Sequence, residues 1–466
     1  MRAWMILLLF LPLAGCLDDE PAADPMPAAD LDSDGDGLTD AEELALGDDP
    51  FTPFLPRVVV AIIDTGVMPY HQEFRQVRPG EDPYAHPSTY LIGYPADVPA
   101  IEATLELDNE TNVEVYLEAD QEKWGAAAQE QLYWIPGTKF VGMVGICQGL
   151  PGSGHGAMTS SRAGGNTISV AKDEVLLVNV HAPLSLEADA DGDSCEAQAT
   201  RWASDQPWID IQSHSWGNFI QCGDVAYNQL SGWSEAFKYA RDKNLVFVAA
   251  ANGYGNSGTL GYPSQCQSNS GVAGVVTVSA TDNQGYASWS NWFPAIAADG
   301  CQNPAVNEWH TEEIQNTGGG TSSATPYSAG AMAKLILEAR RTFRDPGVGV
   351  HDGVVATLQP GGVQPESGPL SDGIFTMDEA KMVLFRTAQT PPREDPSDGN
   401  ACLNQIPARE GDPELAWYPF VGYGEVNEQT VQNAIAVLHG EQAEPDRSQV
   451  DQLYADDQER RRAVWG

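Results

Sequence analysis

Arg57-Val58-Val59-Val60-Ala61-Ile62-Ile63-Asp64-Thr65-Gly66-Val67 is the stretch that decides the fold. From Val58 to Ile63 every side chain is apolar, most are β-branched, and no polar residue alternates with them. Such a run suits a strand covered on both faces, the situation in a parallel sheet sandwiched by helices. Similar runs are Val175–Val180, Trp208–Gln212, Leu245–Ala250 and Val275–Ser279. Helical patterns cover His155–Val170, Tyr227–Asp242, Ser322–Arg344, Met377–Thr387 and Asn427–Leu438. The alternation predicts an α/β fold with a mostly parallel central sheet and right-handed crossovers. In such sheets the chemistry collects at the carboxyl ends of the strands.

Four polar motifs fall at those ends. The first strand runs into Asp64-Thr65-Gly66. A glycine-rich segment, Gly152-Ser153-Gly154-His155-Gly156, opens a helix. The run from Leu245 ends in Ala249-Ala250-Ala251-Asn252-Gly253. Gly318-Gly319-Gly320-Thr321-Ser322-Ser323-Ala324-Thr325-Pro326 opens a long helix of small residues. Ser322 is a weak nucleophile until a base takes its proton, and His155 is placed to be that base. Asp64 can fix the imidazole tautomer and stabilise the imidazolium. Asn252 can donate to a developing oxyanion, joined by a backbone N–H and the positive dipole at the start of the Ser322 helix. Pro326 reads as a residue tolerated in the first helical turn. Each motif alone is weak; the four in this order make a coherent site.

In those motifs the chain resembles the subtilisin-like serine proteases, the subtilase family, from about Val58 to Leu438. Ser213-His214-Ser215-Trp216-Gly217 is similar to the segment that pairs with substrate backbone. Tyr262-Pro263-Ser264 and Gly422-Tyr423-Gly424-Glu425-Val426-Asn427 are similar to later landmarks of the family. The resemblance implies a three-layer α/β/α fold. It also implies an Asp64–His155–Ser322 triad, Asn252 as oxyanion donor, and Ser215, Trp216, Gly217, Ala250 and Ala251 as substrate-binding residues. Its departures are Ala157, Ser323 and Ala251, where the family usually has Thr, Met and Gly. Ala251 and Trp216, with no acid in either segment, imply a preference for small or medium apolar side chains before the cut bond. Insertions are expected at residues 75–140, 182–207 and 344–374. The aromatics of the first of these, Tyr84, Tyr90, Tyr94, Tyr116, Trp124, Tyr133 and Trp134, read as a small local core.

The N-terminal 55 residues have a different character. Arg2, the apolar run Ala3–Ala14 and the small residue Gly15 describe an export signal. Leu13-Ala14-Gly15-Cys16 resembles the bacterial lipobox, which implies acylation of Cys16 and stable membrane anchoring. Residues 16–55 read as an acidic tether. Within it, residues 32–43 place oxygens at loop positions 1, 3, 5 and 9, Gly37 at 6 and an acid at 12, a Ca²⁺-binding loop pattern. Its ligands are expected to be Asp32, Asp34, Asp36, the Leu38 carbonyl, Asp40 and Glu43, and it resembles thrombospondin type 3 calcium repeats. Asp189-Ala190-Asp191-Gly192-Asp193 lacks the later positions and reads as an acidic loop.

Across 466 residues, 24 Lys and Arg face 66 Asp and Glu, a net charge of −42, which argues against nucleic acid as a partner. Of seven Cys, six remain besides Cys16; an even number in an exported chain predicts disulfides, with no free thiol and the pairing left open. The expected layout is a signal at 1–15, a tether at 16–55, a peptidase domain at 56–440 and a tail at 441–466 read as a surface helix or loose end. The expected function is hydrolysis of protein or peptide substrates by an exported, membrane-tethered serine endopeptidase with structural Ca²⁺. The alternative is a catalytically inactive surface protein that keeps the fold for binding.

Overall fold

The computed structural model describes residues 31, 33, 39–46, 54–76, 82–101, 127–147, 150, 154–172, 175–182, 194–216, 231–249, 272–281, 287–288, 294–301, 303–306, 312–347, 353–390, 418 and 420–465. The chain forms two compact units, Met1–Pro53 and Phe54–Gly466. In the first, helix α1 spans Asp40–Leu46. The Asp40 N–H donates to the Leu31 carbonyl at 2.7 Å. The Asp40 carboxylate accepts from the Ser33 N–H and hydroxyl, both at 2.7 Å. Leu31 and Ser33 therefore lie against the start of α1.

The second unit is built on a sheet whose strands are β1 Val59–Asp64, β2 Phe140–Gly145, β3 Leu176–His181, β4 Ile211–His214, β5 Leu245–Ala249, β6 Val276–Thr281, β7 Ala287–Ser288 and β8 Ile296–Asp299. Glu425–Val426, the last strand, joins it beyond β8, and every neighbouring pair is parallel except β7 on β6. From the β2 edge the order is β2, β3, β1, β4, β5, β6, β8. Around it lie helices α2 His155–Gly164, α3 Cys195–Ser204, α4 Ser231–Arg241, α5 Thr321–Phe343, α6 Met377–Thr387, α7 Glu428–Leu438 and α8 Ser448–Trp465.

The unbroken apolar run of β1 explains the layers. Val60 and Ile62 pack into one core with α2, α5, α6 and α7. Val59, Ala61 and Ile63 pack into a second core with α3 and α4. Each fully buried Val or Ile contributes about 1.5–3 kcal/mol, so both faces must be apolar for the strand to stay central. This is the three-layer α/β/α arrangement expected from the sequence.

Several local readings need correction. Strand β2 begins at the last residue of the first expected insertion, and α3 lies within the second. Hairpin strands Val354–Thr357 and Ile374–Thr376 fall in and at the end of the third. Tyr94 and Trp134 form no separate core; both join the core under α3 and α4, where Tyr94 meets Trp208 at 4.8 Å. Tyr84, by contrast, is 63% exposed. Helix α2 stops at Gly164, not near Val170. A Cβ on Gly165 would lie 2.6 Å from the Ser161 carbonyl, and the buried Lys139 ammonium takes the Gly164 carbonyl at 2.7 Å. The C-terminal segment is no loose end. Tyr454 of α8 packs against Phe385 and Tyr423, and the Tyr423 hydroxyl donates to Asp451 at 2.7 Å.

Cys147, just past β2, is joined by a disulfide to Cys195 at the start of α3, and Cys301 is also disulfide-bonded. Among the described residues no helix is long and apolar enough to cross a membrane.

Candidate active site

Asp64 is the last residue of β1, at the carboxyl end of the sheet, and is 5% exposed. Its carboxylate accepts from the Thr65 N–H at 2.7 Å and from the Thr159 hydroxyl at 3.2 Å. His155, the first residue of α2, places Nδ1 at 2.9 and 3.0 Å from the two carboxylate oxygens. Nδ1–H is therefore the donor, which leaves Nε2 as the basic nitrogen. Burial disfavours the imidazolium, but the charge and hydrogen bond of Asp64 outweigh it and hold the His155 pKa above its usual 6.5.

The glycines around His155 have a steric reason. A Cβ on Gly156 would lie 2.2 Å from the Thr65 carbonyl, and one on Gly154 would lie 2.5 Å from the Thr65 hydroxyl. The close approach lets Thr65 do a capping job that Gly154 has no side chain to do: its hydroxyl accepts the Gly156 N–H at 2.8 Å. The Asp64-Thr65-Gly66 turn and the start of α2 are thus one hydrogen-bonded unit. Both motifs are visible in the sequence but the cap is not, because the capping residue lies 91 positions away.

Ser322 is the second residue of α5. Gly320, with φ of 67°, turns the chain into the helix and provides no side-chain cap. The first N–H groups of α5 have no intrahelical acceptor, so the backbone N–H of Ser322 and the helix dipole are available to an anion. The Ser322 hydroxyl donates to the Ser215 carbonyl at 3.1 Å, and the Ser215 hydroxyl donates to the Ser322 carbonyl at 3.0 Å. Pro326 explains the second bond. It is the sixth residue of α5, beyond the first turn where the sequence reading put it. Its missing N–H frees the carbonyl four residues back, which is that of Ser322. Ser215 fills the vacancy. In this resting arrangement Ser322 is bonded to Ser215 and not to His155.

The structure brings Asp64 and His155 into contact and Ser215 into contact with Ser322. Trp216 is held by the core. Its indole is 7% exposed, stacks edge-on against Trp233 at 5.3 Å and His214 at 5.5 Å, and donates to the Ile63 carbonyl at 3.0 Å. It belongs to the core under α3 and α4. Asn252, Gly217, Ala250 and Ala251 lie outside the described residues, as do Cys16, Asp32, Asp34, Asp36 and Leu38. Asp40 and Glu43 stand three residues apart in α1, on one face of the helix. Among the described residues no group of three or more His, Cys, Asp or Glu gathers as a metal site.

Residues 56–346, well over half of the chain, match the Subtilase family. No curated protein matches the chain. Among solved structures, the chain is similar to the prenylagaramide maturation protease PagA, with 16% identity, a TM-score of 0.43, and coverage of 82% of this chain and 94% of that one. It is also similar to the epidermin leader peptide processing serine protease EpiP from Staphylococcus aureus, with 16% identity, a TM-score of 0.45, and coverage of 82% and 77%.

Proposed function

This chain belongs to the subtilase family of serine-type peptidases, and from that premise we propose that it is an endopeptidase working through Asp64, His155 and Ser322 with an acyl-enzyme intermediate. The observation that carries the reading is the contact of His155 Nδ1 with both oxygens of the buried Asp64 carboxylate at the end of β1, with Ser322 bonded to Ser215 just past the neighbouring strand β4.

In the proposed reaction the Ser322 hydroxyl leaves the Ser215 carbonyl and turns to His155. Nε2 takes its proton as Oγ bonds to the scissile carbonyl carbon. The carbonyl π electrons move to oxygen, and the Ser322 N–H and the Asn252 side chain stabilise that oxyanion. The tetrahedral species collapses, the C–N bond breaks, and the imidazolium gives its proton to the leaving amine. Water then repeats the sequence on the ester and restores Ser322. Asp64 stays ionised throughout and holds the imidazole tautomer. Ser322→Ala is expected to lower kcat by about 10⁴-fold or more with the fold intact, because triad members act as a unit. Turnover and fluorophosphonate labelling equal to wild type would sink the assignment.

The preference for small or medium apolar side chains before the cut bond rests on Ala251 and on the absence of acids from the segments around Ser215–Gly217 and Ala249–Asn252. Tetrapeptide amides differing at that residue test it; fastest cleavage after Arg or Phe would refute it. Outside this unit, the reading includes Ca²⁺ held by Asp32, Asp34, Asp36, the Leu38 carbonyl, Asp40 and Glu43. The hard carboxylate donors and the shared face of Asp40 and Glu43 fit that ion, which would brace the loop and take no part in the reaction. Calorimetry with Ca²⁺ on the full chain, with and without Asp34→Ala, tests it. Equal heats would refute it. Export and anchoring through acylated Cys16 complete the reading. Equal partition of wild type and Cys16→Ser into detergent would exclude the anchor.

A further inference from the structure

Asp64 ends a strand that lies between β3 and β4, and each neighbour sends one buried side chain to a carbonyl beside it. From β3, Asn179 donates its Nδ2–H to the Thr65 carbonyl at 3.0 Å. From just beyond β4, Trp216 donates its Nε1–H to the Ile63 carbonyl at 3.0 Å. The two accepted carbonyls flank Asp64 on either side in sequence. The two donors also come from the two faces of the sheet. Asn179 pairs across the ladder with Ile62, which packs under α2 and α5. Trp216 belongs to the core under α3 and α4.

Neither residue is what packing alone would choose. Asn179 is wholly buried between Val178 and Val180 in the middle of a strand, and its Oδ1 meets no hydrogen-bond partner. A buried amide with an unmet acceptor is costly, and a third Val would suit the strand better. What Asn179 provides that Val cannot is the donor to Thr65. Trp216 makes a similar case. Phe would fill much of the aromatic cluster, but only an indole supplies an N–H. Strand β4 ends at His214, so the indole reaches the Ile63 carbonyl just past the end of the backbone ladder. Thr65 is also the residue whose N–H holds the Asp64 carboxylate and whose hydroxyl caps α2. Fixing its carbonyl therefore fixes both partners of the Asp64–His155 contact.

We propose that Asn179 and Trp216 are positioning residues for the catalytic carboxylate, clamping the Ile63–Thr65 backbone so that Asp64 meets His155 Nδ1. The proposal rests on the reading of Asp64, His155 and Ser322 given above. Neither side chain touches substrate; both act through Asp64.

The experiment is a double-mutant cycle on the full chain. Asn179→Ala and Trp216→Phe are each made in the wild-type and Asp64→Asn backgrounds. Peptide hydrolysis is measured across pH and expressed per folded molecule from circular dichroism. In the wild-type background each is expected to lower kcat about ten-fold with little change in KM, within the roughly 100-fold that an ångström of misplacement can cost. The acid limb of kcat/KM should also move to lower pH, because a poorly aimed Asp64 supports the imidazolium less. In the Asp64→Asn background the same changes should alter kcat less than about two-fold, the limit of additivity error. An equal loss in both backgrounds, or no loss and no shift in the wild-type background, overturns the clamp while leaving the triad reading intact. Full activity of Asp64→Asn overturns the triad reading and the clamp together. If Asn179→Ala does not fold, Trp216→Phe, which keeps an aromatic ring in the cluster, decides alone.

Discussion

Helix α5 is held at both ends, in opposite ways. Near its carboxyl end, Arg340 is fully buried and its guanidinium bonds Asp210 at 2.6 and 3.2 Å. It also donates to the carbonyls of Arg57 and Val355, while Asp210 accepts the Val59 N–H at 2.9 Å. That end is locked by charge to the start of β1. At the amino end there is no side-chain cap and no ion pair among the described residues; neutral hydrogen bonds hold it, the exchange between Ser322 and Ser215 and the Asn303 amide donating to the Ser323 hydroxyl at 3.2 Å. The contrast follows from what each end has to do. A nucleophile must trade hydrogen-bond partners during a reaction, and neutral bonds of about 1 kcal/mol net permit that. An anchor must not trade, and a buried ion pair is costly to break.

The strongest test of this contrast is at the locked end. Asp210→Ala leaves the Arg340 charge buried without its carboxylate and is expected to cost about 3–5 kcal/mol of stability. The kcat of the molecules that remain folded should stay near wild type. Chemical denaturation beside active-site titration checks both halves. A kcat loss as deep as that of the site mutants would mean the two ends are not separable.

The next effect is smaller and lies at the reactive end. Gly156→Ala would push a methyl group toward the Thr65 carbonyl, where a Cβ would sit only 2.2 Å away. The start of α2 must then shift from the Asp64 turn, carrying His155 with it. A displacement near an ångström predicts a fall of about 100-fold in kcat. Stability should suffer less than in Asp210→Ala, and a melting curve with a kcat measurement would reveal the opposite ranking if this is wrong.

The two ends should also differ in their response to pH. His155 must be neutral to act as base, so kcat/KM should rise with pH through a value above 6.5. Linkage gives the reverse sign for the fold. Because the folded pKa is raised, the His155–Asp64 pair stabilises the native state fully below the unfolded value near 6.5, and that contribution fades as pH rises through the folded value. Activity should therefore climb while this stabilisation declines. Rate profiles and melting temperatures between about pH 5 and 9 test it; an acid limb below 6.5 would contradict the role given to Asp64.

The parallel sheet and the Asp64, His155 and Ser322 motifs were legible because their cues are local: apolar runs for strands, glycines and small residues at helix starts. What escaped was set by partners far away in sequence. Strand β2 contains Gly142, which looks like a break until Val178 is seen where its Cβ would go, 2.8 Å off. Helix α3 follows an acidic run that masks it, although Ser194 caps it by accepting the Ala197 N–H at 3.3 Å and was a readable start. Trp216 sits in a segment that resembles a substrate-binding one, and no sequence cue shows that its indole turns inward to Ile63.

Pro326 gives the finest test of how the two ends of α5 differ. A proline inside a helix costs about 3 kcal/mol relative to Ala. Here it also leaves the Ser322 carbonyl open, and Ser215 supplies the donor. Ser215→Ala should leave that carbonyl unmet and lower kcat/KM by about ten-fold, the equivalent of one lost bond of roughly 1–2 kcal/mol. Pro326→Ala restores an N–H four residues on, so it should raise the melting temperature and make the Ser215 hydroxyl dispensable. In that background Ser215→Ala should change kcat/KM by less than about two-fold. If instead the loss is the same with Pro or Ala at position 326, the Ser215 hydroxyl acts on something other than the Ser322 carbonyl. The exchange at the reactive end would then reduce to the single bond from the Ser322 hydroxyl to the Ser215 backbone.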